Sequence, residues 1–342
     1  MNSIRITPEE RSSPARSHRA ATDPRSLPLK SPTFGWSWRN VPIPVGYEIL
    51  GSTGAKPVLL LPAMSTVSTR EELRALALRL DSRRCIITDW PGFGNTARPR
   101  LDYDRDLCRS FLEALVAHLR GEFKSRAFPV VACGHAASYA IAIEARQPGT
   151  FTHLVLVAPT WRGPLPTMMS GRKPIQRHIR NLIHAPLIGE FLYRLNVSRP
   201  VVRMMYRRHV FADPAFLTDE LLAERMRLTR QPGARFASAC FVTGALDPFD
   251  DRAAFLAAAR RVRVPILMLY GPDTPPRSRA EMEALAGLPG IESRRLGRGT
   301  LGMAEELAGE LAPLIDDFLS APPSRPSGRT PDGNGVTPAG KR

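Results

Sequence analysis

Pro129 to Ser138 reads PVVACGHAAS, an apolar run rich in valine that closes on a Gly-His pair and opens into an alanine-rich helical pattern. A strand running through a sharp turn into a helix is the repeating unit of a parallel sheet, since parallel neighbours are reached only by a crossover. Similar runs recur on both sides. Strands are expected at Val58 to Pro62, Cys85 to Asp89, Pro129 to Cys133, Leu154 to Ala158, Pro265 to Tyr270 and Glu292 to Leu296. Helical patterns separate them near Arg70 to Leu80, Asp104 to Arg120, Ala136 to Arg146, Asp250 to Arg261, Ser278 to Leu285 and Ala304 to Leu319. The alternation predicts an α/β domain, a mostly parallel sheet flanked by helices, opened by an antiparallel hairpin within Trp36 to Leu50.

The crossover from Ala158 to Pro265 is far longer than one helix needs, so an inserted subdomain stands there. Ile175, Ile179, Leu182, Ile183, Phe191, Leu192 and Leu195 recur near helical spacing and make it helical. The expected organisation is a disordered basic tail over 1–33, a core over 34–160 and 246–320, a helical cap over 161–245, and a Pro-Gly-Ser-rich disordered tail over 321–342. Glu9, Glu10 and Asp23 weigh against reading the first tail as an organelle transit peptide.

The formal charge of +16 is unevenly placed. All of the excess lies in residues 1–56, 161–209 and 321–342, and the segment 161–209 alone holds ten Lys or Arg against one acid. No apolar run approaches the roughly 18 residues that cross a bilayer, and Met1 to Lys30 shows no apolar core of an export signal. Cytoplasmic residence is expected, with peripheral membrane contact as the alternative. Cys85, Cys108, Cys133 and Cys240 are widely spaced and form no CxxC pair, so reduced, buried thiols are expected. The seven histidines show no metal-ligand spacing, and neither metal nor cofactor is implied.

Several local patterns converge on one family. Val58 to Met64 (VLLLPAM) resembles the strand and oxyanion loop of α/β hydrolases, Thr88 to Asn95 (TDWPGFGN) their D-x-PG-x-G turn, and Cys133 to Ser138 (CGHAAS) their nucleophile elbow. The resemblance covers roughly residues 36 to 320 and implies an α/β-hydrolase fold with a helical cap. It also shows what has changed. The elbow of that family reads GxSxG, which aligns the nucleophile with Ala136 in Gly134-His135-Ala136-Ala137-Ser138. The acid's place after Tyr270 falls on Thr274, with Asp273 one residue off, and the base's place in a segment resembling GxGHxxxxE falls on Thr300. The alignment is not needed for the last point. Chain order in this fold is nucleophile, acid, histidine, and no histidine follows His209. The longer pattern resembles a nucleophile-less group of uncharacterised cyanobacterial and chloroplast α/β-hydrolase-like proteins, and supplies no known reaction.

Backbone amides at Ala63 or Met64 with Ala137 are expected to keep a polar notch for a carbonyl or carboxylate, unless water or neighbouring chain fills it. His135 beside the elbow has a pocket role or only a packing one. Trp161, with Arg162, is expected at the pocket rim, or sealing the joint of cap and core. Ser138, Cys133 and Ser65 are stand-in nucleophiles without a visible base. Asp89 and Trp90 are expected to fix their own turn, and Asp247 with Asp250 to cap a helix.

Three readings of function follow. The first is a pseudoenzyme that binds a small apolar, carbonyl-bearing or acidic molecule between cap and core. A second is an enzyme of unconventional mechanism. The third is a membrane-peripheral scaffold whose basic cap meets anionic lipid. The same basic segment also fits ligand steering, or plain packing with arginines outward, and no nucleic-acid motif accompanies it.

Overall fold

In the computed structural model, which describes residues 32–321, every apolar run named above is a strand. In chain order the strands are β1 (Thr33–Phe34), β2 (Ser37–Trp38), β3 (Val41–Pro42), β4 (Val45–Leu50), β5 (Lys56–Leu61), β6 (Arg83–Thr88), β7 (Phe128–Cys133), β8 (Phe151–Val157), β9 (Ile266–Tyr270) and β10 (Ile291–Arg295). Eight of them form one sheet in the order β1-β4-β6-β5-β7-β8-β9-β10. Pairing from β6 through to β10 is parallel, and β1 and β4 join antiparallel. The central strands are buried on both faces, which is why they read as unbroken apolar runs. Strand β10 stands at one edge, and Glu292, Arg294 and Arg295 keep that edge wet and uninviting to another strand.

The hairpin expected at the start is more elaborate than a single turn. Strands β2 and β3 form a separate two-stranded ribbon, while β4 leaves it to pair with β6 in the main sheet. The expected tails lie outside the described residues except for 32, 33 and 321, and Thr33 already pairs with Gly46.

The helices are α1 (Arg74–Arg79), preceded by a tight turn over Arg70–Leu73, α2 (Arg105–Glu122), α3 (Ala136–Arg146), α4 (Pro164–Met168), α5 (Pro174–His184), α6 (Ile188–Asn196), α7 (Arg199–Met205), α8 (Asp219–Thr229), α9 (Ala234–Val242), α10 (Arg252–Arg261), α11 (Pro276–Ala286), α12 (Met303–Glu306) and α13 (Ala308–Ser320). Sequence sets their ends. Asp104 accepts from Leu107 N at the start of α2, Thr218 from Leu221 N at α8, and Asp251 from Ala254 N at α10. Helices α4 to α9 all lie within the insertion. The main core joins the sheet to α1, α2, α3, α10, α11 and α13. A second cluster, built on Tyr193, Val202, Tyr206, Phe211 and Leu222 of the insertion, also takes in Val67 of the core. Among the described residues no helix is long and apolar enough to cross a membrane, and no group of three His, Cys, Asp or Glu gathers for a metal.

Candidate functional site at the carboxyl ends of the strands

Loops after β5, β7, β9 and β10 leave the carboxyl ends of parallel strands, the edge where open α/β sheets bind ligands. The turn after β7 is the decisive one. Strand β7 ends at Cys133, Gly134 takes a left-handed φ of +52°, and His135 already has right-handed helical angles (φ −68°, ψ −24°) as α3 begins. Ala136 lies inside the helix. The residue that makes the sharp turn of the elbow is therefore Gly134, two positions before the one that alignment to GxSxG selects, and Ala132 and Ala136 are its small flanking residues. A Cβ added to Gly134 would stand 2.9 Å from the Ala63 Cβ of the loop after β5, closer than carbon atoms tolerate. A side chain at this turn would press on the loop after β5 unless that loop shifted. The amide of Ala137 is not free for an oxyanion either, since it donates to the Gly134 carbonyl at 3.3 Å.

The loops that would bring acid and base are stitched to other things. Asp273, which is exposed, accepts from Gly299 N at 2.9 Å and donates its own N–H to the Gly299 carbonyl at 3.2 Å. Thr274 is buried, and its hydroxyl has no partner among the described residues. Thr300, where the base would stand, donates its hydroxyl to the Val210 carbonyl. Leu301 N donates to His209 O at 3.3 Å and Gly302 N to Val210 O at 2.8 Å. The base loop thus serves as a clasp for the insertion.

His135 is a packing residue. Its ring is buried edge-on to Phe241 and Tyr139, and Nε2 donates to the Leu246 carbonyl at 3.2 Å, which Tyr139 also meets at 2.6 Å. Asp247 lies 3.6 Å from the same ring and accepts from Gly163 N at 2.8 Å. It holds the start of α4, whereas Asp250 pairs with Arg105 (2.7 Å) and Arg172 (3.1 Å), and Asp251 does the capping expected of this stretch. Burial raises the Asp247 carboxyl to about 7 and lowers the His135 imidazole to about 4, since neither charged form is well solvated there.

Those shifts give a pH prediction with opposed signs. A carboxyl raised on folding binds its proton more tightly in the folded chain, so its contribution falls as pH climbs from about 4 to about 7. An imidazole lowered to about 4 contributes stability that instead rises with pH up to its ordinary value near 6.5. In the wild type the two slopes largely cancel. Asp247→Asn keeps the acceptor for Gly163 and removes one of them. The variant's stability relative to wild type, from urea melts at several pH values, should rise between about pH 4 and 7 by up to about 4 kcal/mol. A pH-independent difference would mean that the carboxylate stays ionised in the fold.

The remaining sequence candidates are buried or held in local hydrogen bonds. Ser138 is buried and donates to the His135 carbonyl at 2.7 Å; Cys133 is buried, with its thiol pushed up by desolvation; Ser65 shares a hydrogen bond with Ser68 at 2.8 Å. All four cysteines are free and buried. Met64 is buried in the core and Ala63 half-buried. Trp161 is buried. Its ring stacks on Phe255 of α10 with centroids 5.8 Å apart, and Nε1 donates to Glu281 of α11 at 3.0 Å, while Arg162 and Arg252 hold the same carboxylate. It seals the root of the insertion to core helices. Asp89 receives Arg70 (2.6 Å) and Asn95 N (3.1 Å), and Trp90 Nε1 donates to Pro62 O (3.0 Å), so both fix the turn as expected.

A group that the sequence does not announce lies between cap and core. Arg225 of α8 is completely buried and pairs with Glu305 at 2.5 Å and Glu224 at 3.1 Å. Glu72 belongs to the same neighbourhood, its carboxyl raised by burial and by Glu305 and lowered by Arg225. Beside this group opens a cleft of about 590 Å³, lined by Thr69, Glu71, Asn95 and Glu305 of the core and by Glu224, Arg225, Arg227, Leu228 and Gln231 of the insertion. Its lining is mostly polar. The one available clue in sequence was an arginine on the buried stripe of α8, among Leu222, Met226 and Leu228.

Comparison with known proteins places this architecture. The chain matches solved α/β structures over most of its length: Cfl2 of Burkholderia cenocepacia (20% identity, 81% of this chain and 92% of that one, TM-score 0.63), a haloalkane dehalogenase loop variant of Bradyrhizobium elkanii (17%, 81% and 93%, 0.61) and a malate-bound esterase of Thermogutta terrifontis (18%, 85% and 98%, 0.64). At these identities the likeness is one of fold. No curated protein matches the chain. The model of the alpha/beta hydrolase family matches residues 58–312, through the strands, the elbow and the insertion, and the chain belongs to that family.

Proposed function

We propose that this chain is a non-catalytic member of its family that binds a small polar molecule bearing an acid or carbonyl group in the cleft between cap and core. The observation that carries the reading is the elbow, where a glycine packed against Ala63 stands in the nucleophile's place. A hydroxyl nucleophile needs an atom there and a base to accept its proton, a carboxylate nucleophile needs an atom there and a base to activate the water that clears its ester, and the base loop offers Thr300 bonded to the insertion.

The sequence favours a ligand against Ala63, Met64, His135, Ala137 and Ser138, but those residues are mostly engaged in packing. The 590 Å³ opening near Asn95, Arg227 and Gln231 is large enough for a metabolite, and its polar lining suits a polar guest in place of an apolar one. Arg227, exposed, supplies a guanidinium for a carboxylate, and the two amides supply both donors and acceptors.

Native mass spectrometry of protein purified from its own host tests this directly. A co-purifying small molecule, lost from Arg227→Ala and Asn95→Ala, is the expected result. A ligand retained undiminished by both variants, or one consumed on incubation, would refute the reading.

A further inference from the structure

The insertion turns apolar side chains outward where the sequence alone would bury them. Helices α5 and α6 form a close hairpin, in which a Cβ on Gly189 would meet the Ile183 carbonyl at 2.1 Å. In α6, Ile188, Phe191 and Leu195 recur at three and four residues and so share one face. They are 60%, 68% and 60% exposed. In α5, Ile175 and Leu182 also share a face, and both are nearly half exposed. At the tip Leu187 is 86% exposed, with φ 57° and ψ −67°, and Ile188 N donates across it to Pro186 O at 2.6 Å. This is the strained form of the three-residue turn, rare for a leucine, and it holds the side chain away from the body.

Cations surround these side chains. The hairpin carries Lys173, Arg177, Arg180 and Arg194, with Glu190 its one acid. Arg194 of α6 and Arg199 of α7 line a common depression with Val197 and Ser198, which ties the hairpin to the next helix. Beyond it Arg199, Arg203, Arg207 and Arg208 line an open cleft of about 460 Å³ together with Pro200 and Met204. Asp219 pairs with Arg199 and Arg203, while Arg207 and Arg208 make no ion pair among the described residues.

We propose that this face docks on an anionic phospholipid surface, with Leu187, Ile188, Phe191 and Leu195 entering the interface and Arg207 and Arg208, just after α7, receiving lipid phosphates. Apolar stripes interleaved with guanidinium groups suit the boundary between acyl chains and anionic headgroups, where each has a favourable partner. A second copy of the chain is a poor occupant, because it would set like charge against like across the contact. The proposal is independent of what fills the cap–core cleft.

Co-sedimentation of the full chain with phosphatidylcholine vesicles, with and without phosphatidylserine, is the test. Binding is expected only with phosphatidylserine, and it should fade as salt rises. Leu187→Ser with Phe191→Ser, and separately Arg207→Gln with Arg208→Gln, should each weaken it by about tenfold. All four positions are exposed, so folding is expected to persist, and circular dichroism checks it. Three results would overturn the proposal: no sedimentation at low salt, binding unchanged in both folded variants because the terminal basic stretches carry it, or self-association that the Leu187/Phe191 variant abolishes.

Discussion

Short-chain p-nitrophenyl esters should be hydrolysed no faster with the purified protein than in buffer, and substituting Gly134→Ser together with Thr300→His should not change that. The left-handed backbone at residue 134 would accept serine only under strain, with its Cβ 2.9 Å from Ala63. Histidine at residue 300 would have to give up the hydroxyl bond to Val210 that helps to hold the insertion. Loss of a triad member alone removes several orders of magnitude in rate from a serine hydrolase. Ester turnover and labelling by a fluorophosphonate probe are the measurements. Rapid turnover or a labelled elbow in the wild type would end the pseudoenzyme reading, whether or not the double variant folds.

Arg225→Met should be among the most destabilising single substitutions in the molecule, lowering unfolding free energy by about 3 to 5 kcal/mol. The side chain is completely buried, and methionine matches much of its volume but none of its charge. Glu305 would lose its 2.5 Å partner, and the nearby Glu72 carboxyl would lose the guanidinium that favours its ionised form. Removing one side of a buried pair is costly because the other side stays desolvated. Adding Glu305→Gln should therefore recover part of the loss. Urea denaturation of both variants decides the matter, and a single-variant loss under about 1 kcal/mol would show that water already reaches the site.

How far the sequence could be read follows from where each signal resides. The sheet was legible because LVLV in β8 and ILMLY in β9 are buried on both faces, so burial is written in consecutive letters. The elbow's existence was legible, but its register was not. GHAAS aligns with GxSxG by letters, whereas the fold is set by where β7 stops, and only glycine takes a left-handed turn without strain. Gly134 itself was the signal. The helical period of Ile175, Leu182, Phe191 and Leu195 predicted helices correctly and said nothing about which way they face, since periodicity fixes a stripe and not its partner. Trp161 was similarly ambiguous. An indole with an N–H needs an acceptor wherever it is buried, and Glu281, which supplies it, is 120 residues away in sequence.

The clasp between residues 300–302 and 209–210 bears on how a molecule would reach the cap–core cleft. Where a lid swings on hinges, opening is the gate and sets the tempo of exchange. Here three hydrogen bonds rivet the insertion to the body at one of the loops such a motion would have to free. A molecule entering the cap–core cleft would then be expected to pass through its standing mouth, with residence time set by the contacts inside more than by a door.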